Sequence, residues 1–165
     1  MTEEPAQNVE QLVAELADKD GVRRLDGRKA LVRVGSSAVP SLLTALGDRR
    51  QHVRWEAAKT LAGIADPAAS EMLVQALGDE DSDVRWVAGE ALIALKRNAL
   101  KPLLNGLTKS QDSEGFYTSA HHVMHDLSQH SDLGPLLESV LKALDQSEPE
   151  VAVPLAAERA LENLA

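Results

Sequence analysis

Four of the chain's five histidines fall in HHVMHDLSQH, from His121 to His130. On a helix, residues three and four apart share a face, so His121 with His125 and His122 with His125 form candidate pairs. Imidazoles at i, i+4 can clasp a divalent transition metal such as zinc, and Asp126 or His130 could add a ligand. A stable site needs three or four converging donors, which one helix face rarely supplies. His121, His122 and His125 are therefore weak metal candidates, and a polar surface patch whose charge changes near pH 6.5 is the plainer expectation. The second unusual pair is Trp55 in HVRWEAAKTL and Trp86 in DVRWVAGEAL, two of only four aromatic residues in 165.

No other reactive constellation stands out. There is no cysteine, which excludes disulfides and thiolate metal sites. No G-x-S-x-G elbow, Walker-type loop or glycine-rich dinucleotide fingerprint is present, so neither catalysis nor a cofactor is expected. No apolar run approaches the ~20 residues that span a bilayer, and the opening MTEEPAQNVE is acidic and polar. A cytoplasmic protein without a membrane partner is the expectation.

The elements that carry these residues are repeated. Val53-Arg54-Trp55 and Val84-Arg85-Trp86 stand 31 apart, as do Leu61 and Leu92, and Ile64 and Leu95. A second segment recurs as AVPSLLTALGD, ASEMLVQALGD and LKPLLNGLTK, beginning at Ala38, Ala69 and Leu100. A looser early copy opens with Val22-Arg23, and a later one runs from Phe116 to Leu144. The apolar stripe Val53, Ala57, Leu61, Ile64 follows helical spacing, and Ala69, Met72, Leu73, Ala76, Leu77 mark a second helix. Short turns such as Ala65-Asp66-Pro67 separate the two. Pro40, Pro102 and Pro135 precede the paired leucines of the second helix, as suits a first helical turn. Leucine and alanine together supply 49 of the 165 residues, which favours helix over sheet.

The expected fold is all-α, a right-handed α-solenoid of antiparallel helix pairs of about 31 residues each, with about ten helices. Its expected parts are an N-terminal capping helix at 8–17, repeats at 21–48, 52–79, 83–109 and 115–145, and a closing half repeat at 150–165. The pattern resembles HEAT-like repeats of the phycobilin-lyase type, on the strength of DVRWVAGEALIAL and HVRWEAAKTLAGIADPAA and over nearly the whole chain. That resemblance implies a binding scaffold, or alternatively a subunit resembling the lyases that handle bilins on light-harvesting proteins. Deoxyhypusine hydroxylase also resembles the chain in its repeats but holds two irons with adjacent His-Glu pairs. Here the comparable positions read Trp55-Glu56 and Trp86-Val87, which argues against that chemistry.

At 100° per residue, Trp55 and Trp86 fall about 200° from the valine that opens each stripe, nearly opposite the core. Arg24 and Thr118 are placed in the equivalent slots of neighbouring units, so the stack should display Arg24, Trp55, Trp86 and Thr118 as a row. His121, His122 and His125 lie opposite their own stripe of Phe116, Ala120, Val123, Met124 and Leu127, extending that face. Either the indoles fill grooves between repeats, or they anchor another protein, a role for which tryptophan is suited. Arg54 and Arg85, at the stripe's edge, are expected to form a ladder with turn acids such as Asp48 and Asp79.

Charge is uneven. The chain carries −9 overall, yet residues 19–59 hold 10 basic and 4 acidic side chains, and residues 111–165 hold 2 and 10. Overall acidity argues against a nucleic-acid partner, although the basic zone keeps a weaker form of it open. A partner protein is the expectation, and a small molecule is not.

Overall fold

A computed structural model describes residues 4–109, 113–129 and 132–164 of the chain. Among the described residues there are ten α-helices and no strand. They are α1 (Glu4–Glu15), α2 (Gly21–Val34), α3 (Val39–Ala45), α4 (Gln51–Ile64), α5 (Ser70–Ala76), α6 (Ser82–Ala94), α7 (Arg97–Leu107), α8 (Glu114–Ser128), α9 (Gly134–Leu144) and α10 (Pro149–Leu164). Single 3-10 turns at Gly35–Ala38 and Pro67–Ala69 lead into α3 and α5.

Local sequence sets the helix starts. Asp20 accepts from the Val22 amide, Asp81 from those of Asp83 and Val84, and Ser113 from that of Phe116. Each side chain satisfies backbone donors that the first helical turn leaves unpaired. Just upstream, Asp18, Asp48 and Asp79 each accept from the amide two residues on, at 2.8–2.9 Å. Such aspartate turns aim the chain from one unit into the next. The stops also recur. Gly35, Ala65 and Lys96 follow the first helix of successive copies, and all three have positive φ, at 74°, 53° and 54°. Only the first copy places glycine, the residue suited to that conformation, at this point.

Helices α2, α4, α6 and α8 pack side by side in one layer, and α1, α3, α5 and α7 form a second. The predicted stripes are the buried ones: Val53, Ala57 and Leu61 in α4, and Val84, Ala88 and Leu92 in α6. Leu100, Leu103, Leu104 and Leu107 of α7 are fully buried, each worth roughly 1.5–3 kcal/mol over exposure.

Two details depart from the sequence-based expectation. Pro102 lies inside α7 and not in its first turn, because the turn that is 3-10 in earlier copies is here α-helical from Arg97. The final helix, expected to open a fifth copy beside α8, instead packs against α9 and α7. Its buried face consists of Val153, Ala157 and Ala160, small enough for close approach. It thereby covers leucines of α7 that would otherwise face water.

Candidate functional site

The four helices of the first layer give a common register. Their starts at residues 21, 51, 82 and 114 make Arg24, Arg54, Arg85 and Tyr117 the same position, the fourth of each helix. Three arginines at this position behave alike. Each donates from Nη1 to the carbonyls six and five residues upstream: Arg24 to Asp18 and Lys19, Arg54 to Asp48 and Arg49, Arg85 to Asp79 and Glu80. Arg54 also reaches the next unit, with Nε and Nη2 2.8 and 2.9 Å from the Asp79 carboxylate. That contact raises its affinity for the proton further. The expected arginine–aspartate ladder is present at this step.

Arg24 is thus a correction. It belongs to the arginine column and not to the tryptophan row, whose member in the first copy is Leu25, the fifth residue of α2. Counting by 31 from Val22-Arg23 slips the first copy by one residue, whereas Asp18 to Asp48 and Leu31 to Leu61 are both 30. Those two spacings were the signal that gives the true register. Arg24 spends its remaining donor capacity on Glu56, at 3.2 Å.

The two indoles occupy one position in their helices and meet different surroundings. Trp55 is half-buried and packs against the core. The Arg28 guanidinium lies 5.4 Å from its ring centroid, and Arg28 Nη1 is 2.6 Å from Glu56 Oε2. Glu56 is buried, and Arg24 and Arg28 of α2 compensate its charge. Trp86 is 58% exposed. One of its faces stacks on the His122 ring at 4.6 Å and 24°.

The difference follows from the neighbouring copies. Arg28 is the eighth residue of α2, and the eighth residue of α4 is Ala58, whose methyl group offers no cation to lay over Trp86. Glu56 is replaced by Val87, so α6 has no buried carboxylate for an arginine to match. On the other side, the ninth residue of α8 is His122, where α6 has Glu90, and the two meet at 3.2 Å.

The histidines diverge. His122 faces α6, whereas His121 Nε2 sits 3.0 Å from Asp145 Oδ1 at the end of α9. His125 is exposed, with its ring 6.3 Å from that of His121 and nearly parallel. No group of three or more potential ligands converges among the described residues, and His130 lies outside them. Thr118 is exposed and borders two grooves. The smaller, of about 330 Å³, runs along Trp86, Arg85, Glu114 and Thr118. The larger, of about 640 Å³, lies between α8 and the α9–α10 connection and is bordered by Glu114, Tyr117, Thr118, His121, Asp145 and Glu150. Gly115 borders the smaller groove, where a β-carbon would stand 2.9 Å from Arg85 Nε.

Sequence reasoning missed Glu90, Glu114 and Asp145, and it read Arg28 as part of the surplus basic zone and not as the partner of Glu56 and Trp55. Glu90 was accessible, since Lys59, Glu90 and His122 share one repeat position. Asp145 was not, because it reaches His121 through a loop with no repeat counterpart.

A stack of helix pairs presenting ordered side chains along one layer defines an α-solenoid. The model of HEAT repeats matches residues 9–93 and 39–120, and the chain belongs to that family. Among solved structures it is similar to a chain of the complex of CpcE and CpcF of phycocyanin lyase from Nostoc sp. PCC7120. The two are 26% identical with a TM-score of 0.63, over 92% of this chain and 98% of that one. Two engineered proteins are also similar, one 23% identical with a TM-score of 0.45 over 94% of this chain and 80% of its own. The other is 26% identical at 0.47 over 96% and 80%. No curated protein matches the chain by sequence. Among the described residues no helix is long and apolar enough to cross a membrane.

Proposed function

We propose that the chain, acting as one repeat domain, is a non-catalytic scaffold that docks another protein on the α6–α8 face. Trp86 is the anchor, with Thr118, His122, His121 and His125 around it. The observation that carries this reading is an indole 58% exposed with one face stacked on the His122 ring. A rigid aromatic side chain at low entropy cost is the usual centre of a docking surface. Trp55 and Arg24 are tied into the repeat framework and take no part. The family supports the reading, as does the solved complex of two subunits to which the chain is similar.

The test is capture of partners from the native host by tagged chain, comparing wild type with Trp86→Ala and Trp55→Phe, with bound proteins identified by mass spectrometry. Capture should be lost in Trp86→Ala alone, with helicity by circular dichroism unchanged. Equal capture by all three would refute the assignment of this face. The likeness to a phycocyanin lyase chain over 92% of this one favours a second reading, a subunit of a bilin lyase. A visible absorption band on mixing with phycocyanobilin would support it, and no band would remove it.

A further inference from the structure

We propose that the segment docked at this face is an extended, arginine-containing stretch of the partner protein, an inference that rests on the scaffold reading above. The chain itself carries the model for the contact. At Trp55, a guanidinium from the neighbouring helix lies over the indole while a carboxylate one residue along the helix takes its hydrogen bond at 2.6 Å. Such a pairing of cation, ring and carboxylate is favourable because the ring face and the acid both attract the planar cation. At Trp86 the place of Arg28 is held by Ala58, and the indole is left largely open. The chain therefore repeats the indole without the arginine and, with Val87 in place of Glu56, without the adjacent carboxylate, which must come from elsewhere on the face.

The surroundings supply the acids. The groove beside Trp86 contains Glu114, and Glu90 stands against His122 on the same face. Glu114 and Thr118 also border the larger groove, where Asp145 and Glu150 add two more carboxylates. The two grooves thus adjoin at Glu114 and Thr118, a path with an indole on one side and carboxylates in both parts. Among the described residues Arg85 is the one arginine or lysine bordering it, with Nη1 held by the Asp79 and Glu80 carbonyls, while His121 stands 3.0 Å from Asp145. Apart from Ser82, Arg85 and Trp86, the residues bordering it belong to 111–165, which hold 2 basic and 10 acidic side chains, so the field along it attracts cations. Positive charge on the partner, and arginine over the indole in particular, is what this surface complements. A neutral or acidic segment would leave the carboxylates opposed.

A fluorescein-labelled peptide of alternating arginine and glycine, with its glutamate–glycine counterpart, tests this by fluorescence anisotropy. The arginine peptide should bind, and more weakly as salt rises. Trp86→Ala should weaken it on the order of tenfold, while Trp86→Phe retains most of the affinity. Glu114→Gln should weaken it about threefold, as expected for an exposed ionic contact. Trp55→Phe should leave it unchanged. Failure of the arginine peptide to bind, equal binding of the glutamate peptide, or indifference to Trp86→Ala would each overturn the proposal. The two readings fail separately. Host-partner capture that needs Trp86 but is neither displaced by the arginine peptide nor reduced in Glu114→Gln/Asp145→Asn would sink the basic chemistry and spare the scaffold.

Discussion

Replacing Arg54 with alanine tests whether buried charge holds successive repeats in register. Arg54 is 7% exposed and makes five hydrogen bonds: two to the Asp79 carboxylate, one to Glu80 and one each to the Asp48 and Arg49 carbonyls. The Glu80 side chain is 86% exposed, so that contact contributes little. The Asp79 pair has side-chain exposures of 9% and 11%, and removing one partner of such a pair costs about 3–5 kcal/mol. Asp79 keeps the Asp81 amide as a donor, which places the expected loss at the low end, about 3 kcal/mol. For a slope of roughly 2 kcal/mol/M, the urea midpoint should fall by about 1.5 M, followed by helical circular dichroism. Arg54→Met, which keeps the apolar stem, should lose less. Adding Asp79→Asn should recover part of the loss by removing the stranded charge. A loss under about 1 kcal/mol, the range of an exposed pair, would refute the argument.

Three further outcomes are expected. Ala65→Gly and Lys96→Gly should each raise stability by roughly 0.5–1 kcal/mol in thermal melts, because both residues hold a left-handed φ that glycine adopts freely; a fall in both would refute this. Asp48 is lowered to about 2 by the Arg50 side chain and amide, Asp18 is lowered first by the Asp20 amide, and Asp66 first by the Ser36 hydroxyl. Carboxyls depressed in the folded state contribute fully above their ordinary value of 3.8, and the contribution is lost as pH falls towards 2. Asp48→Asn should therefore flatten the acid limb of the stability curve between about pH 4 and 2, and an unchanged limb would count against it. With only two tryptophans in the chain, iodide quenching assigns them: Trp86→Phe should remove the accessible component and Trp55→Phe should leave it. The reverse pattern would overturn the assignment of the exposed indole.

The helices were legible because burial is periodic: Val53, Ala57 and Leu61 are buried where the 3.6-residue period puts them. The register of the first copy was misjudged because Val22-Arg23 imitates Val53-Arg54, while the arginine that fills the conserved geometry is Arg24. The course of α10 was hidden for another reason. Its stripe of Val153, Ala157 and Ala160 does not by itself mark a layer, and the packing against α9 and α7 shows only in the assembled stack. Asp145 escaped notice because a loop, and not a helical period, brings it to His121.

Periodicity places Trp55 and Trp86 equally far from the core, and this is correct for each helix taken alone. Their covering is decided one repeat away, by whether the facing position offers a long cation or a methyl group. Replacing Arg28 with alanine would remove the shorter of the two ion pairs to the buried Glu56 and leave it only Arg24 at 3.2 Å, so the ion pair and the covered indole go together. In α6 the carboxylate is already Val87, and nothing in the framework then requires an arginine over Trp86. An open indole there is what a repeat array produces when one copy gives up an internal contact. The acids that remain beside it, Glu90 and Glu114, favour a cation from outside filling the place.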